Sequence, residues 1–82
     1  MIYKLEWAKK SLENLDSLDV LISQRIIKKA SELVENPFSK DIKKLKSMEG
    51  YRLRVGDYRV IFDIKKDKIS VLKVGHRKHI YD

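Results

Sequence analysis

Apolar and polar residues change their period several times along the chain, and each change marks an element. Over residues 1–6 they alternate, with Ile2, Lys4 and Glu6 set against Tyr3 and Leu5, which predicts a short first strand. From Trp7 the spacing widens. Ala8, Leu12 and Leu15 recur at steps of four and three, the pattern of an amphipathic helix ending near Asp16. Asp16-Ser17-Leu18-Asp19 then reads as a restart, with Asp16 as a cap and Asp19 suited to the positive end of a helix dipole. The second helix is longer. Its stripe is Leu18, Ile22, Ile26, Ala30 and Leu33, widened by Leu21, Ile27 and Val34, while Gln24, Arg25, Lys28, Lys29, Ser31, Glu32 and Glu35 take the other side. Asn36-Pro37 stops it, because proline excludes the helical conformation from the residue before it. The short connection between the two helices predicts an antiparallel helical hairpin.

Residues 38–50 read as a basic connector (Lys40, Lys43, Lys44, Lys46), with Ile42, Leu45 and Met48 turned towards the core. After Gly50 the period becomes two. Tyr51, Leu53 and Val55 alternate with Arg52 and Arg54, Gly56-Asp57 follows, and Tyr58, Val60, Phe62 and Ile64 then alternate with Arg59, Ile61 and Asp63. Two alternating runs joined by a Gly-X pair predict a hairpin with a II′-type turn, in which Gly56 takes positive φ. Residues 65–68 make a second turn and residues 69–74 a further strand. Because Ile69, Val71, Leu72 and Val74 put apolar groups on both faces, that strand is expected to be central. Gly75 ends it, and residues 76–82 form a polar tail carrying Ile80 and Tyr81. The fold class is therefore α+β: a small, mainly antiparallel sheet with an N-terminal strand, and a helical hairpin packed on one face.

The tight hairpin determines which side chains share a face. If Val55 pairs with Tyr58, then Arg54 lies opposite Arg59, Leu53 opposite Val60, Arg52 opposite Ile61 and Tyr51 opposite Phe62. Directly opposed residues stand ~5 Å apart at Cβ. One face is then wholly apolar and belongs under the helices, and the other presents Arg52, Arg54 and Arg59 together. Opposed like charges cost something like 0.2–1 kcal/mol. A chance surface can tolerate that cost, but rigidly held arginines are also what a phosphate site requires. Arg77, past the last strand, stands ready to close the cluster, and Lys44, Lys46 and Lys73 to extend it along a nucleic-acid backbone.

Composition sharpens this picture. The 82 residues are expected to form one domain, 1–82, with no second core. Net charge is +7, and it is uneven: residues 51–82 carry nine basic and four acidic side chains, against ten and eight in residues 1–50. Of five arginines only Arg25 precedes position 50, and arginine, unlike lysine, offers a planar fork for phosphate or carboxylate. The absence of cysteine excludes disulfides, thiolate chemistry and Cys-based zinc sites. No Walker-type loop, GxGxxG, HExxH or EF-hand loop occurs, so no cofactor or metal cage is expected. Paired carboxylates are not evident on the basic face, where Asp63 is the one acid on its alternation. No run approaches the ~18 apolar residues of a membrane span, so a cytoplasmic protein with no membrane partner is expected. His76 and His79 are the two histidines, each an exposed residue or a proton carrier near neutral pH. Tyr81 serves either to pin the tail or to stack on a base.

The run Gly50-Tyr51-Arg52-Leu53-Arg54-Val55-Gly56-Asp57-Tyr58-Arg59-Val60-Ile61-Phe62, followed by Val74-Gly75-His76-Arg77 and Ile80-Tyr81, resembles the RelE/ParE superfamily of toxins over essentially the whole chain. The resemblance implies a toxin of a toxin–antitoxin pair: an endoribonuclease that enters the ribosomal A site and cuts mRNA by attack of a ribose 2′-hydroxyl, without a metal. It implies as partners a cognate RelB-like antitoxin, the ribosome and mRNA, with the free toxin monomeric and a higher-order complex formed with the antitoxin. Carried over by position, Arg52 and Arg54 match two basic strand positions, Arg59 and Arg77 match arginines that contact the scissile phosphate, and Tyr81 matches a tyrosine associated with stacking and catalysis. Arg54, Arg59, Arg77 and Tyr81 are the expected catalytic residues, and Arg52, with Lys44, Lys46, Lys73 and His76, the expected RNA-binding ones. In the best-known members the positions of Arg52 and Arg54 are lysines, one proposed as general base. An arginine barely deprotonates at neutral pH, so here its role is electrostatic, and proton transfer falls to Tyr81, a histidine or water. The alternatives are a ParE-like toxin that poisons DNA gyrase without cutting RNA, and a weakened member that only binds nucleic acid or an antitoxin.

Overall fold

The computed structural model describes residues 2–46 and 48–80. Met1, at the start of the expected first strand, and Tyr81, expected in the site, lie outside them. The elements follow one another as β1 (Lys4–Trp7), α1 (Lys9–Asp16), α2 (Val20–Ser31), a 3-10 turn (Glu32–Val34), β2 (Ile42–Lys44), β3 (Tyr51–Val55), β4 (Tyr58–Lys65) and β5 (Lys68–His76). The five strands form one sheet in the order β1-β5-β4-β3-β2. Only β1 and β5 pair in parallel; every other ladder is antiparallel. The α+β architecture expected from the periodicity is the one observed.

Both helices cover the same side of the sheet, α1 over β5 and α2 over β3 and β4. Beneath them Ile26, Ala30 and Leu33 meet Leu53, Val60, Phe62, Ile69 and Val71. Two hydroxyl groups knit the helical layer: Ser11 donates to the Ala8 carbonyl, and the buried Ser23 donates to Leu15 of the other helix at 2.7 Å. Asp19, not Asp16, is the cap of α2, with its carboxylate accepting from the Leu21 amide at 2.9 Å. The chain between the helices is short enough that only Asp19 directly precedes the first turn. Leu21 and Ile27, expected to widen the buried stripe, are exposed. A single sheet covers only one side of α2, so the buried stripe stays narrow.

Five expectations in the second half need correction. The connector contains a strand, β2, which pairs with β3 so that Lys43 meets Arg52 and Lys44 meets Tyr51. Met48, expected to touch the core, is 56% exposed. The apolar pair Val71-Leu72 reflects no two-sided burial: the β4–β5 register slips at Ile61/Phe62, so Phe62 pairs with Val71 while Ile61 pairs with Lys73. Leu72 is the extra residue of a bulge and is exposed. β5 is nonetheless an interior strand, between β1 and β4. It also runs one residue beyond Gly75, to His76. The tail is not simply polar, because residues 77–80 turn back and bury Ile80.

Candidate functional site

The turn at Gly56-Asp57 sets the site. Gly56 has φ +60° while Asp57 stays at negative φ, the II′ pattern whose twist matches the flanking strands. Every pairing then follows as expected: Val55 with Tyr58, Arg54 with Arg59, Leu53 with Val60, Arg52 with Ile61, Tyr51 with Phe62. Leu53, Val55, Val60 and Phe62 go under the helices. Arg52, Arg54 and Arg59 take the open face. Across the next ladder Arg59 faces Gly75, so β5 sets no side chain beside it on that face.

Local partners steer the guanidinium groups of Arg54, Arg59 and Arg77. The Arg59 Nη1 donates to the Gly56 and Tyr58 carbonyls, both at 2.9 Å, which folds the side chain back along its own turn. The Arg54 Nη2 donates to the Asp41 Oδ1 at 3.1 Å, and Lys29 Nζ lies 3.5 Å from the other carboxylate oxygen. Asp41 is placed there by the backbone, since the Arg54 amide donates to the Asp41 carbonyl at 2.9 Å. The Arg54 hydrogen bond first, and the Lys29 charge beside it, hold the Asp41 carboxyl below the usual carboxylate range. The Arg77 amide donates to the Asp57 carbonyl at 2.8 Å, pinning the tail to the turn, and its Nε lies 3.8 Å from the Asp57 carboxylate. Two carboxylates, Asp41 and Asp57, therefore border the basic face, each set against an arginine.

The side chains line connected hollows. One of about 330 Å³ is bounded by Lys40, Asp41, Lys43, Arg52, Arg54 and Arg59. A second, of about 570 Å³, shares Asp41, Arg54 and Arg59 with it and adds Arg25, Lys29 and Arg77. The structure thus brings together Arg52, Arg54, Arg59 and Arg77, and adds Arg25, Lys29 and Lys43, which sequence reasoning did not single out. Pairing β2 with β3 would have found Lys43; nothing local to α2 points to Arg25. Lys46 and Lys73 line a third hollow farther along the sheet. Lys44 also borders that hollow, but its register opposite Tyr51 puts it on the alternation of the helix-covered face. His76 departs from the cluster for the same reason. It pairs with Tyr58, packs edge-on against that ring at 5.3 Å, and its Nδ1 accepts from the Lys78 amide. His79 lies near His76, with ring centres 6.2 Å apart. Among the described residues no group of three or more His, Asp or Glu side chains is arranged to hold a metal ion, and no helix is long and apolar enough to cross a membrane.

The family model for the ParE toxin of the type II toxin–antitoxin system parDE matches residues 5–81. The chain belongs to the RelE/ParE superfamily of toxins. Toxin RelE3 of Methanocaldococcus jannaschii is 46% identical over 48 residues, 57% of this chain and 54% of that protein, so the match spans about half the length of that curated relative. The toxin in the archaeal RelE–RelB complex of Pyrococcus horikoshii superposes with a TM-score of 0.82 at 29% identity, covering 96% of this chain and 99% of that one. The RelB–RelE antitoxin–toxin complex of Methanococcus jannaschii gives a TM-score of 0.75 at 33% identity, with 94% and 95% covered. The superfamily inferred from the Gly50–Phe62 block is the one the comparisons identify.

Proposed function

We propose that this protein is the toxin of a type II toxin–antitoxin pair, acts as a metal-independent endoribonuclease on mRNA in the ribosomal A site, and is held inactive by a RelB-like antitoxin. The observation that carries the reading is the direct opposition of Arg54 and Arg59 on an uncovered sheet face, with Arg52 and Arg77 bordering the same connected hollows. A fold that sought stability alone has no need to set two cations directly opposite each other.

The reaction is an in-line transfer. The ribose 2′-oxygen attacks the adjacent phosphorus, the bond from phosphorus to the 5′-oxygen breaks, and the products are a 2′,3′-cyclic phosphate and a 5′-hydroxyl. One proton leaves the 2′-hydroxyl and one reaches the leaving oxygen. Charge grows on the non-bridging oxygens, and donors already fixed in place stabilise it without reorganising. Arg59 and Arg54 face that charge, and Arg77, tied by its amide to Asp57, approaches from the turn. Asp41 remains ionised far below neutral pH and is a poor proton acceptor, so its part is to orient Arg54. Proton transfer falls to Tyr81, a histidine or water. In a single-turnover pH–rate profile, loss of the acid limb on replacing His76 or His79 identifies a histidine; an unchanged profile rejects it.

Toeprinting of a ribosome-bound message tests the whole reading. Cuts within the A-site codon are expected with the native protein and should vanish in both Arg59→Ala and Arg77→Ala. The matching family model is named for ParE toxins, which favours a second reading, a gyrase poison. Growth arrest with intact messages and damaged DNA would select it.

A further inference from the structure

The open face of the sheet is not uniformly charged. Ile61 stands on the alternation of Arg59 and Asp63, away from both helices, yet it is 3% exposed. Its row crosses four strands: Lys43 of β2, Arg52 of β3, Ile61 of β4 and Lys73 of β5. At ~4.8 Å per strand, the two lysine backbones are separated by ~14 Å. Lys46 and Met48, from the loop after β2, join this row, and together the six residues border a hollow of about 540 Å³ with no acidic side chain among the described residues that line it. The volume lies within the ~300–1,000 Å³ of small-molecule sites. Its Lys43 and Arg52 wall is shared with the arginine hollow, so the two are continuous.

The geometry points to a nucleobase subsite: the base of the nucleotide next to the arginine-held phosphate lies against Met48 and the half-buried Leu45, with Ile61 beneath, while Lys43, Lys46, Lys73 and Arg52 take the flanking phosphates. This rests on the RNA-cleaving reading of the arginine cluster and adds a determinant of which nucleotide is accepted. A base is a flat, weakly polar ring carried between two anions, and the hollow has an apolar floor between cations. Met48 leaves a polarisable thioether in solvent, where it serves no core and is suited to lie on an aromatic ring. A peptide strand fits less well over Ile61, because β3 and β4 are already paired on both sides and the sheet edge at this hollow, β2, is three residues long.

Methyl NMR of the full chain, observing the Ile61 δ1 and Met48 ε groups, tests this with an RNA hexanucleotide made uncleavable by 2′-O-methylation. Ring-current shifts of both methyls are expected with the intact oligonucleotide. They are expected to vanish with an abasic hexanucleotide of the same phosphate count. Met48→Ala, at an exposed position, should weaken the intact oligonucleotide about two- to tenfold and leave the abasic one unchanged, with the Ile69 methyl reporting an intact core. Methyls that stay still, or that move equally with the abasic strand, while the Arg54 and Arg59 side-chain signals respond, overturn the subsite and leave the cleavage reading standing. Larger methyl shifts with an acidic hexapeptide than with RNA reassign the hollow to a protein partner. No response of arginines or methyls to RNA at low salt removes both readings.

Discussion

On one side of the β3–β4 hairpin, Leu53, Val55, Val60 and Phe62 are sealed beneath the helical layer; on the other, one residue away along the same strands, Arg52, Arg54 and Arg59 line open hollows. The pleat alone separates the two sets. Burial of the first set supplies the stability that lets the second hold like charges directly opposed, at something like 0.2–1 kcal/mol. The two faces should therefore fail in different ways when cut. The covered face should lose folding, and the open face should lose chemistry while the fold persists.

Phe62 is the largest fully buried side chain among the described residues, stacked on Tyr51 with ring centres 5.6 Å apart. Phe62→Ala is expected to cost about 3–5 kcal/mol, against roughly 4–12 kcal/mol available to a chain of this size. Urea denaturation followed by circular dichroism measures it. A loss below about 1 kcal/mol would mean that the covered face is loosely packed and that the contrast between the faces is false.

Arg59→Ala makes the opposite cut. Single-turnover cleavage is expected to fall about 10²–10³-fold, the usual effect of removing one preorganised donor. The urea midpoint should barely move. The variant loses two hydrogen bonds to turn carbonyls but relieves the opposition to Arg54, and these effects offset each other to within about 1 kcal/mol. A variant that both unfolds and stops cleaving would show that Arg59 is a structural residue of the turn.

A smaller effect tests whether strain is confined to the site. Lys66, in the second turn, has φ +57°, a left-handed conformation that costs a side-chain-bearing residue about 1–2 kcal/mol. The Gly56 turn avoids that cost by using glycine. Lys66→Gly should thus raise stability by about 1 kcal/mol, after the added freedom of the unfolded chain is allowed for, without altering cleavage. A drop in the thermal midpoint would show that Lys66 makes compensating contacts.

The covered and open faces were equally legible from residues 51–62, because a two-residue turn leaves one register and the alternation does the rest. Legibility ended where register depends on partners remote in sequence. Ile42-Lys43-Lys44 is too short to show alternation, so β2 read as connector and Asp41 could not be set beside Arg54, thirteen residues away. The bulge at Leu72 was hidden for a related reason. Two adjacent apolar residues look alike whether a strand is buried on both faces or slips by one residue. In α2, periodicity located the stripe but not its width, since that depends on how much sheet lies beneath it.

The missed carboxylate also supplies the finest test of the comparison. Asp41 is the point at which the open face contributes to stability, through Arg54 at 3.1 Å and Lys29 at 3.5 Å. Its folded-state pKa is depressed, so the stabilisation is present above the unfolded carboxylate pKa and disappears as pH falls through the folded one. Asp41→Asn should be slightly less stable than the native chain at neutral pH, and the two stability curves should converge in strong acid. Binding to uncleavable RNA should move the other way: with one anion removed from the hollow, affinity at low salt rises, and the gain fades as ionic strength shortens the reach of the charge. A constant stability gap down to acid pH would mean that the side chain acts through packing. Weaker RNA binding by Asp41→Asn would mean that orienting Arg54 outweighs the negative charge Asp41 brings to the face.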